Sequence, residues 1–127
     1  MSGPLAITGH FDVIGDLMDA AVEQIGDREA YVEGTRRLTF AEWIDAADRV
    51  AGALADRGVG RGDVVALHLG PSIDYAIAYA AAARLGAVAT GINPRLGPSE
   101  VRGIVERCAP RITVRSEERR VGKECRL

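Results

Sequence analysis

Few residues in this chain could do chemistry, and their spacing decides what each can be. Gly58-Val59-Gly60-Arg61-Gly62 invites comparison with a nucleotide-binding loop. The dinucleotide fingerprint follows a strand and opens a helix, so that phosphate meets the helix N-terminus. Here the order is reversed: the loop leaves a helical pattern and enters a strand pattern. It reads as a helix-to-strand connection with Gly at the helix end. A phosphate loop of the GxxxxGK(S/T) type is excluded as well. The sole Gly-Lys pair, Gly122-Lys123, is followed by Glu124 and has Glu117 where the first Gly is needed. Gly70-Pro71-Ser72-Ile73-Asp74 lies at a strand-to-helix turn, the place of a nucleophile elbow. That elbow needs Gly two residues after the Ser, because the close turn excludes side chains there. Asp74 stands in that position, so Ser72 reads as a helix cap.

The remaining candidates are isolated. His68 falls within an apolar run and His10 before the first helical pattern, and neither has a second ligand type at metal-binding spacing. Cys108 sits on an apolar helical stripe and reads as a small core residue. With Cys125 it forms neither a metal-ligand spacing nor a disulfide framework. Asp56, Asp63 and Asp74 fall at element ends, where carboxylates solvate loops or favour helix N-termini. No catalytic, cofactor-binding or metal-binding residue is assigned from the sequence.

The elements that would position such residues are clearer. Gly58 to Leu96 reads as loop, strand, helix, strand and Asn-Pro turn, one βαβ unit. Val64–Leu69 is a nearly continuous apolar run, as expected of a strand covered on both faces. Ser72 opens a helix that stops at Gly86. Ala87–Ile92 returns as a second strand, and Asn93-Pro94 ends it. A helical connection implies parallel pairing and a right-handed crossover. Before this unit, apolar positions 11, 14, 18, 21, 22 and 25 predict an amphipathic helix from Phe11 to Ile25. Ala30–Glu33 and Arg37–Leu38 flank Gly34-Thr35 as a short hairpin. Thr39 and Glu42 form a capping box ahead of a helix carrying Phe40, Trp43, Ile44, Ala47, Val50, Ala51 and Leu54. After the unit, Pro98 opens a further helix whose stripe of Val101, Ile104, Val105 and Cys108 is expected to be buried. Arg111–Val114 reads as a last strand.

The expected fold class is therefore α/β: a partial, open, largely parallel sheet with flanking helices and a small N-terminal hairpin. Residues 1–10 form an N-terminal arm and 11–114 a partial subdomain. Residues 115–127 form a charged tail, with five basic and three acidic groups and no apolar period.

Composition narrows the function classes. The 127 residues are 47% hydrophobic and 27% charged, which fits a soluble globular chain and not a disordered one. With 5% aromatic residues, the core must be built from small side chains. The net charge of −2 and the lack of a basic face with interleaved aromatics argue against nucleic acid as a partner. Asp12 and Asp16 interrupt the region where a signal peptide would be apolar, and no run is long enough to span a bilayer. A cytoplasmic location is the expectation.

LTFAEWIDAADRVAGALADRGVGRGDVVALHLGPSIDYAIAYAAAARLGAVATGINPRLGPSEVRGIV resembles the N-terminal region of the AMP-forming acyl-CoA synthetases, in the adenylate-forming ligase superfamily. The resemblance is carried by LTFAEW, ALADRGVGRGDVVAL, a small-residue helix running into RLGAV, and INPRL followed by Pro-x-Glu. It covers about residues 11–114. It implies a two-step ligase whose full-length form joins a carboxylic acid, fatty or aryl, to ATP as an acyl-adenylate and passes it to coenzyme A, with Mg²⁺ offsetting phosphate charge. The family's phosphate loop, adenine and Mg²⁺ motif, hinge and catalytic Lys have no counterpart here, so no residue is carried over and this piece alone is expected to be inactive. RSEERRVGKEC departs from the family and resembles translated vector read-through, which marks the tail as a candidate non-native segment. The alternative is a stand-alone α/β module that binds a partner through an open sheet edge.

Overall fold

The computed structural model describes residues 13–115. The elements run in the order α1 (Ile14–Ile25), β1 (Glu29–Glu33), β2 (Arg36–Thr39), α2 (Phe40–Asp56), β3 (Val64–His68), α3 (Ile73–Arg84), β4 (Val88–Gly91), α4 (Pro98–Cys108) and β5 (Ile112–Arg115). Among the described residues β1 and β2 pair antiparallel as a hairpin, and β4-β3-β5 form a parallel sheet with β3 in the middle. Val64 pairs with Val88 on one side, and Val65 with Ile112 on the other.

Local chemistry fixes the helix ends. Thr39 Oγ1 accepts from the Glu42 N–H at 3.1 Å, while Glu42 Oε1 accepts from the Thr39 N–H at 2.8 Å, the expected reciprocal capping box. Thr39→Ala is expected to lower stability by about 1 kcal/mol, read as a drop in the urea midpoint with an unchanged slope. Both α2 and α3 stop in Schellman turns. Val59 N–H donates to Leu54 O and Gly58 N–H to Ala55 O. Ala87 N–H donates to Ala82 O and Gly86 N–H to Ala83 O. The turn residue takes a left-handed conformation in each, φ 92° at Gly58 and 71° at Gly86, where a side chain would be strained.

The core lies where α2, α3 and β3 meet. Its largest fully buried side chains are Leu54, Val65, Leu67 and Ile73, and alanines at 47, 80, 81 and 82 let the two helices approach closely. Arg84, at the end of α3, ties three helices together. Its guanidinium donates to Asp48 on α2 at 2.8 Å and to Asp19 on α1 at 2.7 Å, and reaches Gly15 O at 3.2 Å. The hydrogen bond to Asp48 is the largest influence holding this group above its ordinary pKa, against the burial that lowers it.

Three expectations shift. α1 is described from Ile14, and Phe11, the first apolar position of the predicted helix, lies outside the described residues. β4 is shorter than Ala87–Ile92, because the Ala87 N–H closes the α3 turn and no longer points to a strand partner. The α4 stripe is only half-buried at Val101, Ile104, Val105 and Cys108. A stripe buries only against a second surface, and none of the described elements lies closely along α4.

Candidate functional site

In an open α/β sheet, ligands sit outside the carboxyl ends of the strands, where neighbouring connections diverge. β3 is that place here, with β4 on one side and β5 on the other. At this end His68 stands in register with Arg115, and the chain leaves β3 through Leu69-Gly70-Pro71-Ser72 into α3. Three donors of that turn are engaged. Ser72 Oγ accepts from the Tyr75 N–H at 3.1 Å and donates to Gly70 O at 3.0 Å. Ile73 N–H donates to Glu33 Oε1 at 3.0 Å, so the hairpin places a carboxylate on the positive end of α3. Arg36 on the same hairpin pairs with Asp74 at 3.0 Å. The turn is a capped helix start, and Ser72 has the cap role its spacing implied.

The Gly-rich loop lies at the opposite, amino end of β3. Gly60 N–H donates to Asp63 Oδ2 at 2.7 Å, and Arg111 pairs with the same oxygen at 3.1 Å. Asp63 therefore organises the entry to β3. Asp56 closes α2, and Cys108 is half-buried near the end of α4. The structure does not bring these candidates together, and among the described residues no three His, Cys, Asp or Glu groups converge on a metal position. His10, Cys125 and Gly122-Lys123 lie outside the described residues.

What the sequence reading missed is apolar. A cavity of about 530 Å³ opens between α1, the hairpin, α2 and α3. Tyr31, Phe40, Trp43, Tyr75 and Tyr79 line it, five of the six aromatic residues of the chain. Trp43 anchors the group: its Nε1–H donates to Ala76 O at 3.0 Å, and Tyr31 meets its ring edge-on at 5.1 Å. Burial raises the pKa of Tyr31 by disfavouring the tyrosinate. The available signal was the concentration of so few aromatics in elements on either side of β3.

Comparison with known proteins gives a consistent picture. The family model described as AMP-binding enzyme matches residues 18–126. The 3-hydroxybenzoate–CoA ligase of Aromatoleum sp. (strain CIB) is 37% identical over 103 residues, covering 75% of this chain and 20% of that relative. The medium/long-chain-fatty-acid–CoA/3-oxocholest-4-en-26-oate–CoA ligase of Mycobacterium marinum is 35% identical over 89 residues, covering 70% of this chain and 16% of its own length. The N-terminal domain of FACL13 from Mycobacterium tuberculosis superposes with a TM-score of 0.78 at 32% identity, over 83% of this chain and 27% of that one. The chain thus spans about a sixth to a fifth of the length of these two curated relatives.

Proposed function

We propose, from the premise that this chain belongs to the AMP-binding enzyme family, that it is the N-terminal piece of an acyl-CoA or aryl-CoA ligase. The whole enzyme would activate a carboxylic acid with ATP, releasing pyrophosphate and forming an acyl-adenylate, and then transfer the acyl group to coenzyme A. The observation that carries this reading is the family match over residues 18–126 together with the parallel α/β fold that the match requires. The acids in the relatives' names, 3-hydroxybenzoate, medium- and long-chain fatty acids and 3-oxocholest-4-en-26-oate, support a fatty or aryl carboxylic acid as the substrate. No membrane-crossing helix occurs among the described residues.

Within residues 13–115 the contribution to that reaction is scaffolding. The first N–H groups of α3 already serve Glu33 and Ser72, and no carboxylate cluster offers Mg²⁺ a seat among the described residues. No chemical step is assigned to residues 13–115.

The test has two arms. The 127-residue chain alone is expected to release no pyrophosphate from ATP with fatty or aryl acids and to show no ATP-dependent rise in melting temperature. A chain that bound ATP would gain about 2.7 kcal/mol at a hundredfold excess over Kd. In the second arm, residues 18–115 replace the matching segment of the 3-hydroxybenzoate–CoA ligase, and the chimera is expected to form acyl-adenylate. Acyl-adenylate from the isolated chain overturns the scaffolding role, and a folded but inactive chimera overturns the ligase reading.

A further inference from the structure

Exposed apolar side chains gather in one place. Of the seven large apolar side chains exposed among the described residues, four line the aromatic groove: Ile14, Leu17, Tyr31 and Tyr79. Two elements here carry more apolar surface than the fold covers. α3 exposes only Asp74 and Tyr79, and its sequence, IDYAIAYAAAAR, is apolar all round, the composition of a helix with protein on every side. α1 carries Ile14, Leu17, Met18 and Ala21 as one stripe at i, i+3, i+4 and i+7, yet only Met18 and Ala21 are buried. Its first turn runs past the surface on which the second one packs.

The lining decides what chemistry the occupant has. None of the side chains that line the groove is charged. A carboxylate held there would lose water without gaining a cation, which is costly, so the groove does not suit the head of an acid substrate. Aromatic walls without charge are the composition of the dry centre of a protein interface. The occupant follows from the relatives' length. The N-terminal domain of FACL13 takes this fold over 83% of the present chain, and that match is 27% of the domain's own length. Nearly three-quarters of that domain therefore lies outside the superposed part, in the same polypeptide. A tethered surface acts at about millimolar effective concentration, which a second copy of this chain would have to match by association.

We propose that the groove between α1, the hairpin, α2 and α3 is an internal seam of a longer N-terminal domain, filled by apolar side chains from the remainder of that domain. This gives the scaffolding role a surface, and it rests on the reading of residues 13–115 as the N-terminal piece of a longer enzyme.

Hydroxyl-radical footprinting read by mass spectrometry measures how readily solvent reaches Leu17, Trp43 and Tyr79, all in the groove wall. The full 127-residue chain, at a low and a high concentration, is compared with a chimera in which residues 13–115 replace the superposed segment of the FACL13 N-terminal domain. Circular dichroism and a cooperative urea transition establish that each is folded. The three side chains are expected to react fast in the 127-residue chain at both concentrations and several-fold more slowly in the chimera. Tyr79→Asp is expected to lower the urea midpoint several times further in the chimera than in the chain alone. Equal reactivity in chain and chimera overturns the proposal, and so does an equal effect of Tyr79→Asp. Protection already present in the 127-residue chain also overturns it: if it grows with concentration the cover is a second copy, and if not, the chain's own residues. None of these readouts uses acyl-adenylate, so a protected groove stands even where the ligase chimera is inactive and the ligase reading fails. Should the chimera fail to fold, the tagged 127-residue chain is co-expressed with the FACL13 N-terminal domain lacking the superposed segment. Capture of that remainder, lost on Tyr79→Asp, is then expected; no capture, or capture indifferent to Tyr79→Asp, overturns the proposal.

Discussion

Truncating Leu67 to alanine is expected to cost about 2–5 kcal/mol of folding free energy, the range for a buried leucine whose cavity cannot collapse. Leu67 is fully buried in β3, the middle strand, paired in register with Gly91 of β4 and Val114 of β5. The backbone on both sides is held by the sheet, so neighbours cannot move in to fill the space. Small domains are stable by about 5–15 kcal/mol in total, so this one change removes a large share of the margin. Urea unfolding followed by circular dichroism measures it. Leu67→Met, which keeps the volume, is expected to cost under about 1.5 kcal/mol. A loss from the alanine variant no larger than from the methionine variant would show that β3 is not the packed centre described above.

Replacing Arg84 by methionine is expected to cost about 2 kcal/mol. Methionine keeps an apolar stem and removes the guanidinium, so the comparison isolates the charge-assisted hydrogen bonds. Such bonds contribute about 1.5–3 kcal/mol each to stability in partly buried settings, and screening of the exposed Asp19 and Asp48 carboxylates lowers the sum. Arg84 itself is well covered, with 20% of its side chain exposed, so its geometry is held. Lysine is expected to recover only part of the loss, because an ammonium cannot reproduce the guanidinium fork that meets Asp48 and Asp19 together. A double-mutant cycle with Asp48→Asn measures the coupling. Additivity of the two changes would mean that the cluster joins the helices only in appearance.

The legible parts of this fold were the local ones. The Thr39–Glu42 box, the Ser72 cap, the stops at Gly58 and Gly86 and the Gly34-Thr35 turn each depend on residues a few positions apart, and each appears as the spacing implied. The parallel βαβ unit followed from the same signals. What escaped was built from distant parts. Nothing in the sequence around Arg84 names Asp19 or Asp48 as its partners. Trp43 and Phe40 looked like ordinary core positions of α2, because a helical stripe does not say whether its far end meets a core or a cavity. The α4 stripe was legible as a stripe, but its burial depends on a surface that no local pattern specifies. The Gly-rich loop, by contrast, was legible as a helix-to-strand connection from local order alone, and it does run from α2 to β3.

The place of β3 in the middle of its sheet has a consequence for biosynthesis. β3 leaves the ribosome before either of the strands that flank it, since Val88 and Ile112 come later in the chain than the Val64 and Val65 they pair with. At about 5–20 residues added per second, the interval before β5 is complete lasts seconds. Throughout it, Val64–His68 carries unmet backbone groups on at least one flank and apolar side chains on both faces. A nascent chain stalled before Ile112 would present that strand to its neighbours on a polysome. The step most in need of a chaperone is therefore elongation between β4 and β5, and synonymous codons that slow translation there should lower the soluble yield without altering the finished protein.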